Sequence, residues 1–377
     1  MSTQPAVVIA GAGYAGLHVA LRLSTSHGWP TIRLIDRHLY HQIVTELPRV
    51  AAGLRSAEAV RVSLDEHLAK GIQYVETEVT GFDLAGHRVV TASGPVDYER
   101  LVVALGSVPN DYGIPGLTQH ALNLYSSADA EHVWHAVQAT VQAAAAEADL
   151  QRRARLMTIL IGGAGPTGVE MAGELAEALP KLARADNVDV AFEHVTLVEA
   201  GPAILPGFSP SVVDQAGRIL RDLHVTVLTG SAIAEAVDGG FKLKNGEMLS
   251  GGLIIWTGGL RAPDVITQYD FALARTGRIQ VDAYLRATGH PEVFVAGDVA
   301  AVADPVTGRL LAPLAQTALS EAETVVHKGI VVSVGPSSGV AEVGGRTIHG
   351  SLVHALKDLI EWEYRASIKH PHGWSPI

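Results

Sequence analysis

Two six-residue stretches of this 377-residue chain repeat one pattern: Gly11-Ala12-Gly13-Tyr14-Ala15-Gly16 and Gly163-Ala164-Gly165-Pro166-Thr167-Gly168. Each follows a short apolar run, Val7 to Ala10 or Met157 to Ile161, that reads as a buried parallel strand. Each then opens a helix-like stretch. After the first loop a second strand-like run, Thr31 to Ile35, ends in Asp36, twenty residues past Gly16. Strand, G-x-G-x-x-G, helix, strand and acid at this separation describe a dinucleotide site. Gly11 makes the turn, Gly13 lets backbone approach a pyrophosphate at the helix N-terminus, and Gly16 lets helix and strand pack closely. Asp36 accepts from the adenosine ribose. Tyr14, Ala15 and Arg37 flank these positions and join them as candidates.

The second copy predicts a second dinucleotide. Gly163, Gly165 and Gly168 take the same three roles, with Pro166 and Thr167 between them. The run Val195 to Val198 ends at Glu199, thirty-one residues past Gly168, and Pro180 to Asp189 reads as a loop excursion that accounts for the extra length. A carboxylate at 199 repels a 2′-phosphate, and residues 200–205 contain no Arg, which favours NADH over NADPH.

Composition closes other routes. The chain has no cysteine, which excludes a disulfide, a thiolate-held metal or cluster, and a thiol redox centre, so any redox chemistry falls to a bound cofactor. A net charge of −11, with no long Lys or Arg run, argues against nucleic acid. Met1 to Pro5 lacks a basic residue and no 18 apolar residues run together, so the expectation is a cytoplasmic protein with no spanning segment.

A third signature, Val293-Phe294-Val295-Ala296-Gly297-Asp298, is another strand capped by Gly-Asp. In two-site flavoproteins the NAD fold is inserted into the FAD fold, and this aspartate reaches the ribityl chain of FAD. With these motifs the sequence resembles the two-dinucleotide-binding flavoproteins and, within them, the type II NADH dehydrogenases, which are non-pumping NADH:quinone oxidoreductases. Gly162 to Glu170 with Ala172-Gly173-Glu174-Leu175-Ala176 is similar to that family's second nucleotide motif. Leu101-Val102-Val103-Ala104-Leu105-Gly106 resembles the outgoing crossover between domains, with Leu105 in place of Thr. Ile254 to Gly259 resembles the return, which places Ala104 and Gly106 at FAD and Gly258 at NAD. Ala315-Gln316-Thr317-Ala318 is similar to the family's Ala-Gln-x-Ala helix start beside the isoalloxazine, where a helix N-terminus favours the negative charge of reduction. Two positions depart from the family: Ser320 to Glu323 places two acids where a Gln-Gly pair is usual, and Glu46 stands where the branch sharing His41 and Thr45 has an aromatic. Both bear on the acceptor.

The resemblance implies an α/β fold of two Rossmann-like domains: FAD-binding over 1–111 and 270–330, NAD(H)-binding over 112–269, and a C-terminal hairpin-and-helix region over 331–377 for dimerisation or peripheral membrane contact. Ser351 to Ala366 reads as a helix with an apolar side of Leu352, Ala355, Leu356, Leu359, Ile360 and Trp362. Its charged residues sum to minus one, which favours packing on its own domain or a partner subunit over anionic lipid. His370-Pro371-His372 lacks a third ligand, so no metal is assigned. The implied chemistry passes hydride from NADH to FAD and electrons on to a quinone. Glu170 is the candidate proton relay, or a first-turn acid stabilised by the helix dipole, and Gln316 the candidate at the flavin edge. A soluble reductase with a protein or small-molecule acceptor, and an NADH-sensing flavoprotein with slow turnover, stay open as alternatives.

Overall fold

The run Ala6–Ala10 is central to a six-stranded sheet because all five residues are buried, which only a strand covered on both faces achieves. The computed structural model describes residues 6–25, 31–69, 71–189, 194–303, 310–311, 317–318, 330–343 and 346–369. Across this first sheet the strands run Arg286–Ala287, His290–Val295, Arg100–Val103, Ala6–Ala10, Thr31–Asp36 and Ile72–Glu76. The last five are mutually parallel, and Arg286–Ala287 is an antiparallel edge. The helix Tyr14–Thr25 follows the first glycine loop and buries Leu17, Ala20 and Leu21.

A second sheet, wholly parallel, orders Leu122–Asn123, Leu253–Trp256, Thr158–Gly162, His194–Val198 and Thr226–Leu228. Its central strand precedes the second glycine loop and the helix Pro166–Ala185. In sequence it lies between strands Arg100–Val103 and His290–Val295, which pair side by side in the first sheet. The two passages between sheets touch: Val108–Pro109 pairs antiparallel with Leu260–Arg261. Each sheet also carries a three-stranded antiparallel meander, Val79–Asp83 to Gly94–Asp97 and Ile233–Val237 to Met248–Ser250. The fold is therefore α/β with two Rossmann-like units.

Two expectations are corrected. The segment from Pro180 is not a loop: Pro180 lies inside the helix, which continues to Ala185. Leu179 and Ala183 beside it are buried at 2% and 0% exposure, so packing holds the helix through the missing amide. The C-terminal helix, Ser351–Lys369, packs on its own chain but through the opposite face from the one its periodicity selects. Val353, Lys357, Glu361, Tyr364, Ser367 and Ile368 are buried, while Leu352, Leu359, Ile360 and Trp362 are exposed. The region before this helix is a three-stranded sheet, Ile330–Ser333, Gly339–Val343 and Arg346–His349. Its backbone crosses the helix Pro166–Ala185 at Gly173, where a Cβ would stand 2.3 Å from the amide nitrogen of Gly335.

Candidate functional site

The first sheet's parallel strands end at Ala10, Asp36, Val103 and Val295, and candidate residues occupy the positions just beyond those ends, where open α/β sheets bind ligands. Gly11 has φ +106° and lies against Ala104; a Cβ there would fall 2.2 Å from the Ala104 carbonyl oxygen. At Gly16 a Cβ would fall 1.9 Å from the Gly11 carbonyl oxygen, so the loop closes tightly on the helix. Gly13 differs: nothing lies within 4 Å of where its Cβ would be, which leaves an open mouth at the helix N-terminus. Asp36 Oδ2 accepts from the Ala12 amide at 2.8 Å, tying the acid to the loop. Arg37 points outward beside Glu78, at 3.8 Å. Gly297 sits near Ala15 and Ala318, and Asp298 Oδ2 accepts from Ser107 Oγ at 2.7 Å. Burial pushes the Asp298 carboxyl above its usual range. Gly106 has φ +66° with open space around it. Ala315 and Gln316 lie outside the described residues.

The second sheet repeats this construction. Gly163 has φ +100°, and a Cβ on it would fall 2.3 Å from Gly258 Cα; Gly168 closes on the Gly163 carbonyl, and Gly165 faces open space. Pro166 begins the helix, where a missing amide costs nothing, and Thr167 is exposed beside it. Glu199 Oε2 accepts from the Ala164 amide at 2.9 Å, the counterpart of Asp36 on Ala12, and Oε1 accepts from Gly201 at 2.7 Å. Thr257 Oγ donates to the Gly163 carbonyl at 2.9 Å, a support absent from the sequence reading although the residue lies within a quoted motif. Both cradles have the glycine space, helix end and acid that a dinucleotide such as FAD or NADH requires.

Between the cradles lies a buried polar cluster. Glu170 Oε1 accepts from Lys357 Nζ at 2.8 Å and from the Ser333 amide at 3.0 Å. Lys357 Nζ also donates to the Thr45 carbonyl at 3.2 Å. Arg49 reaches Glu46 at 3.1 Å, Asp358 at 2.7 Å and Glu174 at 3.7 Å, and its Nη2 lies 2.8 Å from His354 Nε2. Burial disfavours the charge on Lys357, but Glu170, Glu361 and Glu46 outweigh it and hold the ammonium above its usual range. Glu174 is pushed up to about 7 by burial. Lys357 and Arg49 thus join the 40s segment, the second-loop helix and the C-terminal helix. Sequence periodicity concealed this, because the charged face of the C-terminal helix looks like a solvent face. Among the described residues no group of three His, Asp or Glu side chains is arranged so that it could hold a metal ion.

Residues 5–322 match the pyridine nucleotide-disulphide oxidoreductase family model, and the chain belongs to that family. Within it, the chain is one of the type II NADH:quinone oxidoreductases. It is 32% identical to the type II NADH:quinone oxidoreductase of Staphylococcus epidermidis and 31% identical to that of Staphylococcus aureus, over 94% of each chain. Among solved structures, NDH2 from Plasmodium falciparum in complex with NADH superposes with a TM-score of 0.85 at 18% identity, covering 99% of both chains. The sulfide:quinone oxidoreductase of Aquifex aeolicus shares the fold at a TM-score of 0.79 and 17% identity, covering 97% of this chain and 92% of that one. With no cysteine in the sequence, this chain has no redox disulphide of the kind the family name describes.

Proposed function

We propose that this chain oxidises NADH and delivers the electrons to a quinone through FAD, with residues 1–111 and 270–330 holding FAD and 112–269 holding NADH. The carrying observation is the repeated cradle: two glycine loops, each open at the middle glycine and each tied to a terminal acid through a loop amide. FAD, when bound, supplies the two-electron step between nicotinamide and quinone. Asp36 and Glu199 would each receive an adenosine ribose, and the carboxylate at 199 turns away a 2′-phosphate. Asp298, with Ser107 on its oxygen, would reach the ribityl chain. Ala315 and Gln316 would border the flavin edge. Glu170, held by Lys357 and Ser333 on the helix that begins at the second cradle, would be the candidate relay toward the quinone.

Quinones with isoprenoid tails reside in lipid, and the C-terminal helix turns Leu352 and Trp362, 75% and 65% exposed, away from the protein while Lys357 points inward. An outward apolar stripe on the helix that carries Lys357 supports peripheral contact with a membrane surface. No helix among the described residues is long and apolar enough to cross a membrane.

Purification and flavin spectroscopy test the reading. The expected protein is yellow, is bleached by NADH, and recovers its colour with a ubiquinone or menaquinone analogue. A colourless protein that refuses FAD overturns it, and bleaching without recovery by any quinone removes the quinone assignment. A slow turnover with persistent bleaching would favour the NADH-sensing alternative.

A further inference from the structure

The hydrogen bond between Ser107 and Asp298 is held from outside the first sheet. Strands Arg100–Val103 and His290–Val295 are neighbours there, so the chain leaves adjacent strand ends on its way to these two residues. Before Ser107 the backbone turns through Gly106, at φ +66°, with nothing within 4 Å of where its Cβ would be. Open space on that side leaves the turn to be fixed by its other contacts. Ser107 is buried, and it is bonded in two directions: its carbonyl accepts from the Tyr125 phenol at 2.6 Å, and its hydroxyl donates to Asp298 Oδ2 at 2.7 Å.

Tyr125 lies beyond the outgoing crossover, between the edge strand Leu122–Asn123 of the second sheet and the helix Ser127–Ala146. Residues of the first nucleotide unit set its place. Gln42 is used at both ends of its amide: Nε2 donates to the Tyr125 carbonyl at 3.2 Å, and Oε1 accepts from the Ser127 amide at 2.7 Å. Arg61 Nε donates to Ser127 Oγ at 2.8 Å, and Ser126 caps the helix through a reciprocal pair with Asp129. Three bonds and a cap fix residues 125–127, so the phenol reaches Ser107 from a prearranged backbone. The contacts thus start at Gln42 and Arg61, pass through Tyr125, and return to the first unit at Ser107 and Asp298.

We propose that Tyr125 is a positioning residue for FAD: by holding the Ser107 backbone it keeps the Ser107 hydroxyl on Asp298 and the Asp298 carboxylate turned toward the ribityl chain. The inference rests on the FAD reading above. It makes flavin retention depend on a side chain from the span assigned to NADH.

The chemistry of each link agrees with this role. A carboxylate accepts a ribityl hydroxyl best when it is ionised and fixed in plane. Burial opposes the anion of Asp298, and the Ser107 hydroxyl, followed by Arg278, opposes burial. A donor on Oδ2 also restrains the plane in which the other oxygen lies. The Tyr125 phenol, raised by burial, stays protonated and is the donor in its bond, since the Ser107 carbonyl has no hydrogen to give. Ser107 and Asp298 also line a cavity of about 130 Å³, so the acid is not sealed beneath the chain.

The test follows flavin release from the unaltered holoenzyme, Tyr125→Phe, Ser107→Ala and the double variant. The rise of free-flavin fluorescence after dilution gives the rate. Tyr125→Phe removes one oxygen and leaves the ring. Release should be about fivefold faster for either single variant. In the double variant it should lie within about twofold of Ser107→Ala, because the phenol then has no hydroxyl left to position. Affinity for NAD⁺, titrated by calorimetry, should stay within about twofold throughout, since the phenol serves the other cradle. A loss that recurs in full on the Ser107→Ala background, or that NAD⁺ affinity shares, would mean that Tyr125 only stiffens the chain, and would overturn the proposal. Should Tyr125→Phe fail to fold by circular dichroism, Tyr125→Met keeps the apolar bulk without the donor and takes its place. An unaltered protein that takes up no FAD sinks the FAD reading and the proposal with it. Flavoproteins that all release flavin at one rate sink the proposal alone.

Discussion

Tyr364 donates its phenolic proton to Nε2 of His41 at 3.0 Å, joining residues 323 positions apart. The direction follows from the other ring nitrogen. His41 Nδ1 lies 3.0 Å from the carbonyl of Ala12, which can only accept, so Nδ1 carries the hydrogen and Nε2 is free to receive one. The C-terminal helix thereby reaches the first glycine loop through a single neutral imidazole. Tyr14 of that loop stacks on Tyr364, with centroids 4.7 Å apart and planes 12° from parallel.

Tyr364→Phe should keep the stack and lose the donor. An unsatisfied imidazole nitrogen in a buried site costs about 1–3 kcal/mol. The expected outcome is a lower urea midpoint, with faster loss of flavin because His41, which bonds the Ala12 carbonyl, loses its second anchor. NADH affinity, which the proposed reading assigns to the other sheet, should not change. Equal stability in equilibrium unfolding would show that His41 is held by the loop alone.

Acid and alkali should act on different groups. Burial lowers His41 to about 4. Its folded-state value thus lies below that of an exposed imidazole, so its contribution to stability is complete above pH ~6.5 and is lost as pH falls through 4. Glu361, raised to about 8, has the opposite sign: its contribution is complete below the ordinary glutamate value and drains away as pH rises through 8. Relative to the unaltered protein, Glu361→Gln should therefore gain stability between pH ~6 and ~9. Urea midpoints measured across that range check the slope, and a difference that stays constant with pH would refute it.

The middle glycines separate binding from folding. No atom of the chain lies within 4 Å of a Cβ placed at Gly13 or Gly165, so an added methyl has nothing in the protein to strike. Gly13→Ala should match the apoprotein's unfolding midpoint and purify colourless. Gly165→Ala should purify yellow with its NADH Michaelis constant raised at least about tenfold, or ~1.4 kcal/mol of binding. If both variants kept flavin and NADH affinity, neither loop would be holding a pyrophosphate.

What could be read from the sequence is what lies close along the chain. Each cradle's loop and acid fall within one βαβ stretch, and the glycine spacing reports a local backbone requirement. Lys357 on Glu170 spans 187 residues, and nothing near either residue announces the other. The helical periodicity near the C-terminus marked Leu352, Leu359 and Trp362 as the packed face, whereas Lys357, Glu361 and Tyr364 are the residues turned inward. Amphipathicity identifies which side of a helix is apolar, but not whether protein or another medium covers it. Glu46 stood out only as an acid in an aromatic position; its cations, Arg49 and Arg55, are visible once the segment is folded.

That outward stripe yields a last prediction. Leu352, Leu359 and Trp362 are 75%, 50% and 65% exposed, so replacing the last two with Ser removes little contact within the protein, and its stability should stay within about 0.5 kcal/mol. If the stripe enters a bilayer surface, each side chain withdrawn from water contributes about 1.5–3 kcal/mol, and the double variant should lose more than tenfold in partition to phospholipid vesicles. The attraction is apolar, so neutral and anionic vesicles should bind the unaltered protein similarly. Co-sedimentation with each kind of vesicle makes the comparison. Equal partition of variant and unaltered protein would mean that this face serves something other than lipid.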